Sequence, residues 1–251
     1  MGNTPAFAAT QLAEFDSFAS WYNEALHRGL SVTGESADYF ARGRIAWLAH
    51  RLAGLRLEPR NVLDFGCGTG TAAPYLLRLP GCTRVHGVDV SEASLEVAWE
   101  RHGSAKVTFS TPEATLAPDS FDLAFCSGVF HHIPVAERKL AMATVWRSMR
   151  PGGVFAFWEN NPWNPGTRYV MSRIPFDRNA ITLSPPEARR LLRSSGFEVL
   201  RTDFLFVFPA FLRALRWLEH RLTSLPIGGQ YLVLARKPVA RYAASNNSGD
   251  R

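Results

Sequence analysis

Along residues 11–29, Leu12, Phe15, Phe18, Trp21, Tyr22, Ala25 and Leu26 recur at the three- and four-residue intervals of one helical face. Residues 36–53 repeat the pattern through Phe40, Ile45, Trp47, Leu48 and Leu52, behind Ser36, whose hydroxyl suits a helix start. Beyond residue 60 the pattern changes to short apolar, β-rich runs. Those at 61–64, 84–89, 106–110, 121–126 and 154–159 predict strands. Between them, 70–79, 91–102, a short stretch at 113–117 and 135–149 read as helices. The order then becomes helix (185–195), strand (197–207), helix (209–224) and strand (229–236). Strands alternating with helices predict an α/β fold, with helices on both faces of a largely parallel sheet.

The chain has 251 residues, 46% of them hydrophobic, which suits one domain with accessory pieces. The expected domain is 1–237, with a helical cap over 1–56, a core over 57–160, and insertions with the last strands over 161–237. The polar segment 238–251 is expected to fray. The net charge of +6 is carried mostly by arginine and is scattered, without the basic run of a nucleic-acid arm. Cys67, Cys82 and Cys126 are odd in number and lack CxxC spacing, so free thiols in a reducing compartment are expected. Residues 1–20 carry Glu14 and Asp16 and do not read as a signal peptide. With no apolar run of membrane-spanning length, the expected location is cytoplasmic.

Composition says nothing about chemistry; residues 61–70, NVLDFGCGTG, do. Gly66, Gly68 and Gly70 follow a predicted strand, where open α/β sheets bind ligands. Their spacing is GxGxG, not the GxGxxG of a dinucleotide loop, and Asp64 precedes them. A carboxylate there repels pyrophosphate and suits a cationic amine. Thr71 and Ala72 stand where a phosphate loop would carry lysine, which excludes that loop. Asp89 ends the second strand, where an acid accepts hydrogen bonds from ribose hydroxyls. Two acids bracketing a glycine loop call for a ligand with ribose at one end and an ammonium group at the other.

These residues resemble the first motif and ribose-binding acid of class I S-adenosylmethionine-dependent methyltransferases. The likeness continues through Asp119-Ser120-Phe121-Asp122, Phe130-His131-His132-Ile133 and Arg150-Pro151-Gly152-Gly153, in the family's order. The resemblance implies a Rossmann-like, doubly wound, seven-stranded sheet, mostly parallel with an antiparallel last strand. To it are added N-terminal helices and a helical insertion before that strand. It also implies S-adenosylmethionine as cofactor. Asp64, Gly66, Cys67, Gly68 and Gly70 would hold the methionine end, Asp89 the ribose, and Val90 the adenine. Thr111 and Pro112 stand where many members carry an adenine-binding Asp, and Ser127 would line the methyl-donor end.

A neutral hydroxyl or amine acceptor must lose a proton, and His131, then His132, are the candidate bases. Glu159, Asn160 and Asn161 are alternatives at the end of the fifth strand. Adjacent histidines without carboxylate partners argue for no metal. Tyr22, Glu159, Asn160, Trp163 and Arg168 are the candidate substrate residues, with Tyr39 and Phe176 beside them. The expected acceptor is a small molecule; the sequence lacks the run that base methyltransferases carry after the fourth strand, which argues against nucleic acid. Two alternatives remain. Residues 204–222 suggest weak association with a membrane surface and a lipid or lipid-linked acceptor. The other is a donor-binding protein without turnover.

Overall fold

A computed structural model describes residues 28–112, 116–177 and 180–239. Tyr22, nearly all of the stretch 11–29, and most of 113–117 lie outside the described residues. Seven strands form one sheet: β1 (Asn61–Phe65), β2 (Arg84–Val88), β3 (Val107–Ser110), β4 (Phe121–Ser127), β5 (Met149–Asn160), β6 (Glu198–Leu205) and β7 (Gln230–Arg236). Their order is β3-β2-β1-β4-β5-β7-β6. β1 is parallel to β2 and β4, and β4 to β5, whereas β7 runs antiparallel to both β5 and β6. The strand order reverses between β1 and β4, so the crevice beyond their carboxyl ends is the expected ligand site.

Helices α1 (Ala37–Gly54), α2 (Ala73–Leu76), α3 (Glu92–His102), α4 (Arg138–Ser148), α5 (Pro165–Arg173), α6 (Pro185–Ser194) and α7 (Glu219–Leu222) complete the architecture. Two buried clusters flank the sheet. Ile45, Leu48 and Leu52 of α1 and Leu95 and Ala98 of α3 pack on one face, against Val62, Leu123, Phe125 and Trp158. Met142 and Val145 of α4 and Ala188 and Leu192 of α6 pack on the other, against Leu63, Ala124, Phe155 and Phe157. Alternation along each strand therefore sets every neighbouring side chain on a known face. Asp64 shares Val62's parity and the α1 face, while Glu159 shares that of Phe155 and Phe157.

Local signals explain the helix starts. Ser36 Oγ accepts the Tyr39 N–H at 3.1 Å, and Ser91 Oγ accepts that of Ser94 at 3.1 Å. What docks α1 is a long-range contact. Asp203 of β6 accepts from Trp47 Nε1 at 3.0 Å and from Arg51 at 2.7 and 3.0 Å.

The structure departs from three expectations. The helix predicted over 70–79 keeps only α2, flanked by turns. The stretch 161–180, the first of the expected insertions and without a predicted element, carries α5 and a 3-10 turn, Pro175–Asp177. Asn164-Pro165-Gly166 reads as a turn in isolation, but Asn164 Oδ1 accepts the Thr167 N–H at 3.0 Å, making it a helix cap. The helix predicted over 209–224 is instead a 3-10 segment, Ala210–Leu218, kinked at Leu212 and followed by α7. Side chains pull this segment back onto its preceding loop: Arg216 Nε donates to Phe208 O at 3.1 Å, and Glu219 Oε1 accepts the Val207 N–H at 2.6 Å. Its apolar stripe consequently faces outward, with Phe211 79% and Trp217 63% exposed.

Candidate functional site

A cavity of about 600 Å³ opens beyond the carboxyl ends of β1, β4 and β5. Asp64, Gly66, Cys67 and Gly68 line one end. The two central glycines do different work. A Cβ on Gly66 would stand 2.3 Å from Val129, so this glycine permits close packing. A Cβ on Gly68 would meet nothing within 4 Å, so its bare backbone faces open space. Gly66 and Gly68 adopt φ of +73° and +50°, a region that side-chain-bearing residues rarely enter. Gly70 lies away from the cavity, against Phe109 and Ala98.

The acids also divide their roles. Asp89 Oδ2 accepts the Gly68 N–H at 2.8 Å and Oδ1 accepts that of Ser91 at 3.0 Å, so this carboxylate shapes the loop. Asp64 is buried, and its Oδ2 has no hydrogen-bond partner among the described residues. Burial, with the charge of Asp89 nearby, pushes the Asp64 carboxyl up to about 7.

The same cavity is lined by Ser127, His131, His132, Glu159, Asn160 and Asp177. His131 Nδ1 lies 2.6 Å from Glu159 Oε2, and Glu159 Oε1 accepts the Phe130 N–H at 2.8 Å. Asp177 Oδ1 approaches His131 Nε2 at 3.5 Å and His132 Nε2 at 3.3 Å. Burial by itself lowers the pKa of His131, but Glu159 and Asp177 outweigh it and hold the ring at about 10. Burial raises Asp177, yet its two imidazole neighbours bring it down to about 2. Burial and the charge on His131 push His132 the other way, below its ordinary value. The two carboxylates thus favour the protonated imidazole, which counts against His131 as the base that takes an acceptor's proton.

The family model described as "Methyltransferase domain" matches residues 63–157, which span the glycine loop, both acids, the two histidines and most of β5. In that stretch the chain is similar to methyltransferase domains, and its seven-stranded sheet is a Rossmann-like methyltransferase fold. The methyltransferase GfsG of Streptomyces halstedii is 39% identical over 103 residues, 38% of this chain and 36% of that protein. The O-methyltransferase resE of Aspergillus sclerotiorum is 28% identical over 204 residues, 74% of each chain. The solved structure of a SAM-dependent methyltransferase from Thermotoga maritima shares the fold, with TM-score 0.63 and 23% identity over 89% of this chain and 98% of that one. The matches span 28% and 55% of the length of two other curated relatives.

S-adenosylmethionine is the cofactor that this similarity implies, and the residues of the cavity fit that group. A buried carboxylate oxygen without a hydrogen-bond partner among the described residues suits an ammonium group, and the open space over Gly68 admits the ligand against bare backbone. The remaining predicted positions fall unevenly. Val90 is 46% exposed beside Asp89, and Thr111 and Pro112 are half-buried just past β3, outside the cavity lining. Ser127 and Asn160 line the cavity, as do Tyr39 and Phe176. Trp163 and Arg168 do not, and Tyr22 lies outside the described residues. Glu159 sits beneath His131 with both oxygens engaged, so it supports the imidazole. Asp177 was missed: one acid after Pro175-Phe176 carries no local pattern, and only the fold sets it against the histidines. Phe206, Phe208 and Pro209, which close the wall, were likewise illegible as site residues.

Proposed function

We propose that this protein transfers the methyl group of S-adenosylmethionine to an oxygen or nitrogen of a small molecule. One observation carries the reading: a single cavity joins the unpartnered Asp64 carboxylate to the His132–Asp177 pair across an aromatic wall. S-adenosylmethionine, when bound, supplies an electrophilic methyl group on a sulfonium. Asp64 receives the ammonium end, and Asp89 and the Gly68 backbone receive the ribose. Phe40, Phe176, Phe206 and Phe208 line the acceptor side and exclude water. His132, with a side chain 15% exposed, meets the acceptor and holds it in line with the methyl group. The resemblance to an O-methyltransferase over most of both chains supports a small-molecule hydroxyl as one acceptor class.

Tritiated donor incubated with candidate acceptor pools tests this. His132→Ala lowers turnover roughly a hundredfold or more with little change in donor affinity. Asp89→Ala weakens donor binding by about 1.5–3 kcal/mol, some ten- to a hundredfold in the dissociation constant. Donor binding with transfer to no acceptor pool would instead identify a donor-binding protein without turnover.

The outward stripe favours a second reading, a lipid or lipid-linked acceptor met at a membrane surface. Phe211 lines the cavity while 79% exposed, and Trp217, Leu225 and Ile227 are exposed nearby in the chain. No described helix is long and apolar enough to cross a membrane. Co-sedimentation with anionic vesicles at low salt is expected under this reading and reduced by Phe211→Ser with Trp217→Ser. Wild-type protein that stays in the supernatant eliminates it.

A further inference from the structure

Sequence alone argued against a metal because the adjacent histidines lacked a carboxylate partner. The fold supplies one. Asp177 turns Oδ1 to 3.5 Å from His131 Nε2 and 3.3 Å from His132 Nε2. Both contacts are long beside the ~2.7–3.2 Å of ordinary N–H···O hydrogen bonds. They match the ~3.3–3.4 Å edge between two ligands on a tetrahedral cation with bonds near 2.05 Å. One ligand atom from each of the three residues lies within 4.8 Å of the others.

The surroundings are those of a metal ligand set. His131 turns its other nitrogen, Nδ1, to Glu159 at 2.6 Å, and the Phe130 N–H locks that carboxylate from behind. Such a carboxylate–imidazole pair fixes the ring's orientation and raises its basicity as a ligand. Glu159 and Asp177 also place two carboxylates around this point, and a dication answers that charge more fully than one imidazolium does. All four residues line the cavity, so the cluster is reachable from solvent.

The geometry points to a divalent-cation site of zinc type, formed by His131 Nε2, His132 Nε2 and Asp177 Oδ1, with its fourth position toward the cavity. Two imidazoles and one carboxylate with an open position make a catalytic zinc donor set. On binding, the ring proton of His131 leaves to solvent and the freed nitrogen lone pair goes to the cation. At the acceptor end, the cation would bind an acceptor hydroxyl and lower its pKa. That role rests on the methyl-transfer reading; the binding itself does not.

The 251-residue chain, stripped with a chelator and dialysed, is titrated near pH 7.5 with Zn²⁺ by calorimetry and with Co²⁺ by visible absorption. One equivalent binds with a dissociation constant below about 1 μM, and Co²⁺ shows the intense bands of a tetrahedral site. His132→Ala and Asp177→Asn each weaken binding at least ~100-fold, and Glu159→Gln weakens it about 10–100-fold. Circular dichroism and donor calorimetry check that each variant is folded. If Asp177→Asn does not fold, His132→Ala and His132→Gln carry the comparison. Wild-type binding weaker than ~100 μM, or equal binding in the folded variants, overturns the site. Metal binding without methyl transfer leaves this site standing and removes the proposed activity. Methyl transfer by protein that binds no metal does the reverse.

Discussion

Asp64→Asn strengthens the donor-free protein as pH rises and weakens its hold on the donor. In the folded chain the Asp64 carboxyl is pushed up to about 7, through burial first and Asp89 second, from an ordinary 3.8. Below about pH 4 it is protonated in both folded and unfolded chains and contributes no pH dependence. Between about 4 and 7 the folded chain holds a proton that the unfolded chain has released. Stability therefore falls as pH rises through this window, then levels off above it. A shift of about three pKa units sets an upper figure near 4 kcal/mol. The asparagine variant carries no such slope, so the stability gap opens from pH 4 to 7 in its favour. Any fixed cost of burying an amide is the same at every pH and drops out of the comparison. Urea unfolding at about pH 4, 6 and 8 reads this directly.

The same carboxyl couples donor binding to proton release. An ammonium group is attracted to the ionised form, so donor binding near pH 6 expels close to one proton from the wild type. Calorimetry in two buffers of different ionisation enthalpy measures it; in Asp64→Asn the release disappears and donor affinity falls roughly ten- to a hundredfold. A pH-independent stability gap together with no proton release would falsify this account of Asp64.

Asp203→Ala is expected to cost about 3–5 kcal/mol, the largest loss from a single side chain away from the cavity. The Asp203 side chain is 1% exposed, and Arg51, which it pairs at 2.7 Å, is 16% exposed. Arg201 adds a contact at 2.5 Å from a more exposed position, and Trp47 Nε1 donates at 3.0 Å. Removing the carboxylate leaves a mostly buried guanidinium and an indole N–H without their acceptor, and desolvation is no longer offset. Because α1 also carries Tyr39, Phe40 and Arg44 into the cavity wall, acceptor KM should rise before donor affinity changes. Chemical denaturation of Asp203→Ala beside Asp203→Asn checks the first point; a loss under about 1 kcal/mol would show that the helix docks by apolar packing alone.

Legibility followed the range of the interactions. The central strands could be read because parallel strands buried on both faces appear as continuous apolar runs, as in 61–65 and 121–127. Ser36 was readable as a cap because it bonds a residue three positions on, as Ser91 also does. The segment Ala210–Leu218 was not, because its helical periodicity is overridden by Arg216 reaching Phe208 and Glu219 reaching Val207.

The candidate site divides along the same line. Asp64, the three glycines and Asp89 lie within 26 residues and end adjacent strands, so strand alternation and turn chemistry place them without knowledge of the rest. Spacing and charge in that stretch call for a ligand with ribose at one end and an ammonium group at the other, because a short local chain dictates its own geometry. The tertiary structure decided the acceptor end. By sequence His131 was a candidate base with no carboxylate partner; the fold sets Glu159 and Asp177 against it from two other elements. Protonation and ligation depend on which charges meet in a low-dielectric space, and only the folded chain brings those charges together.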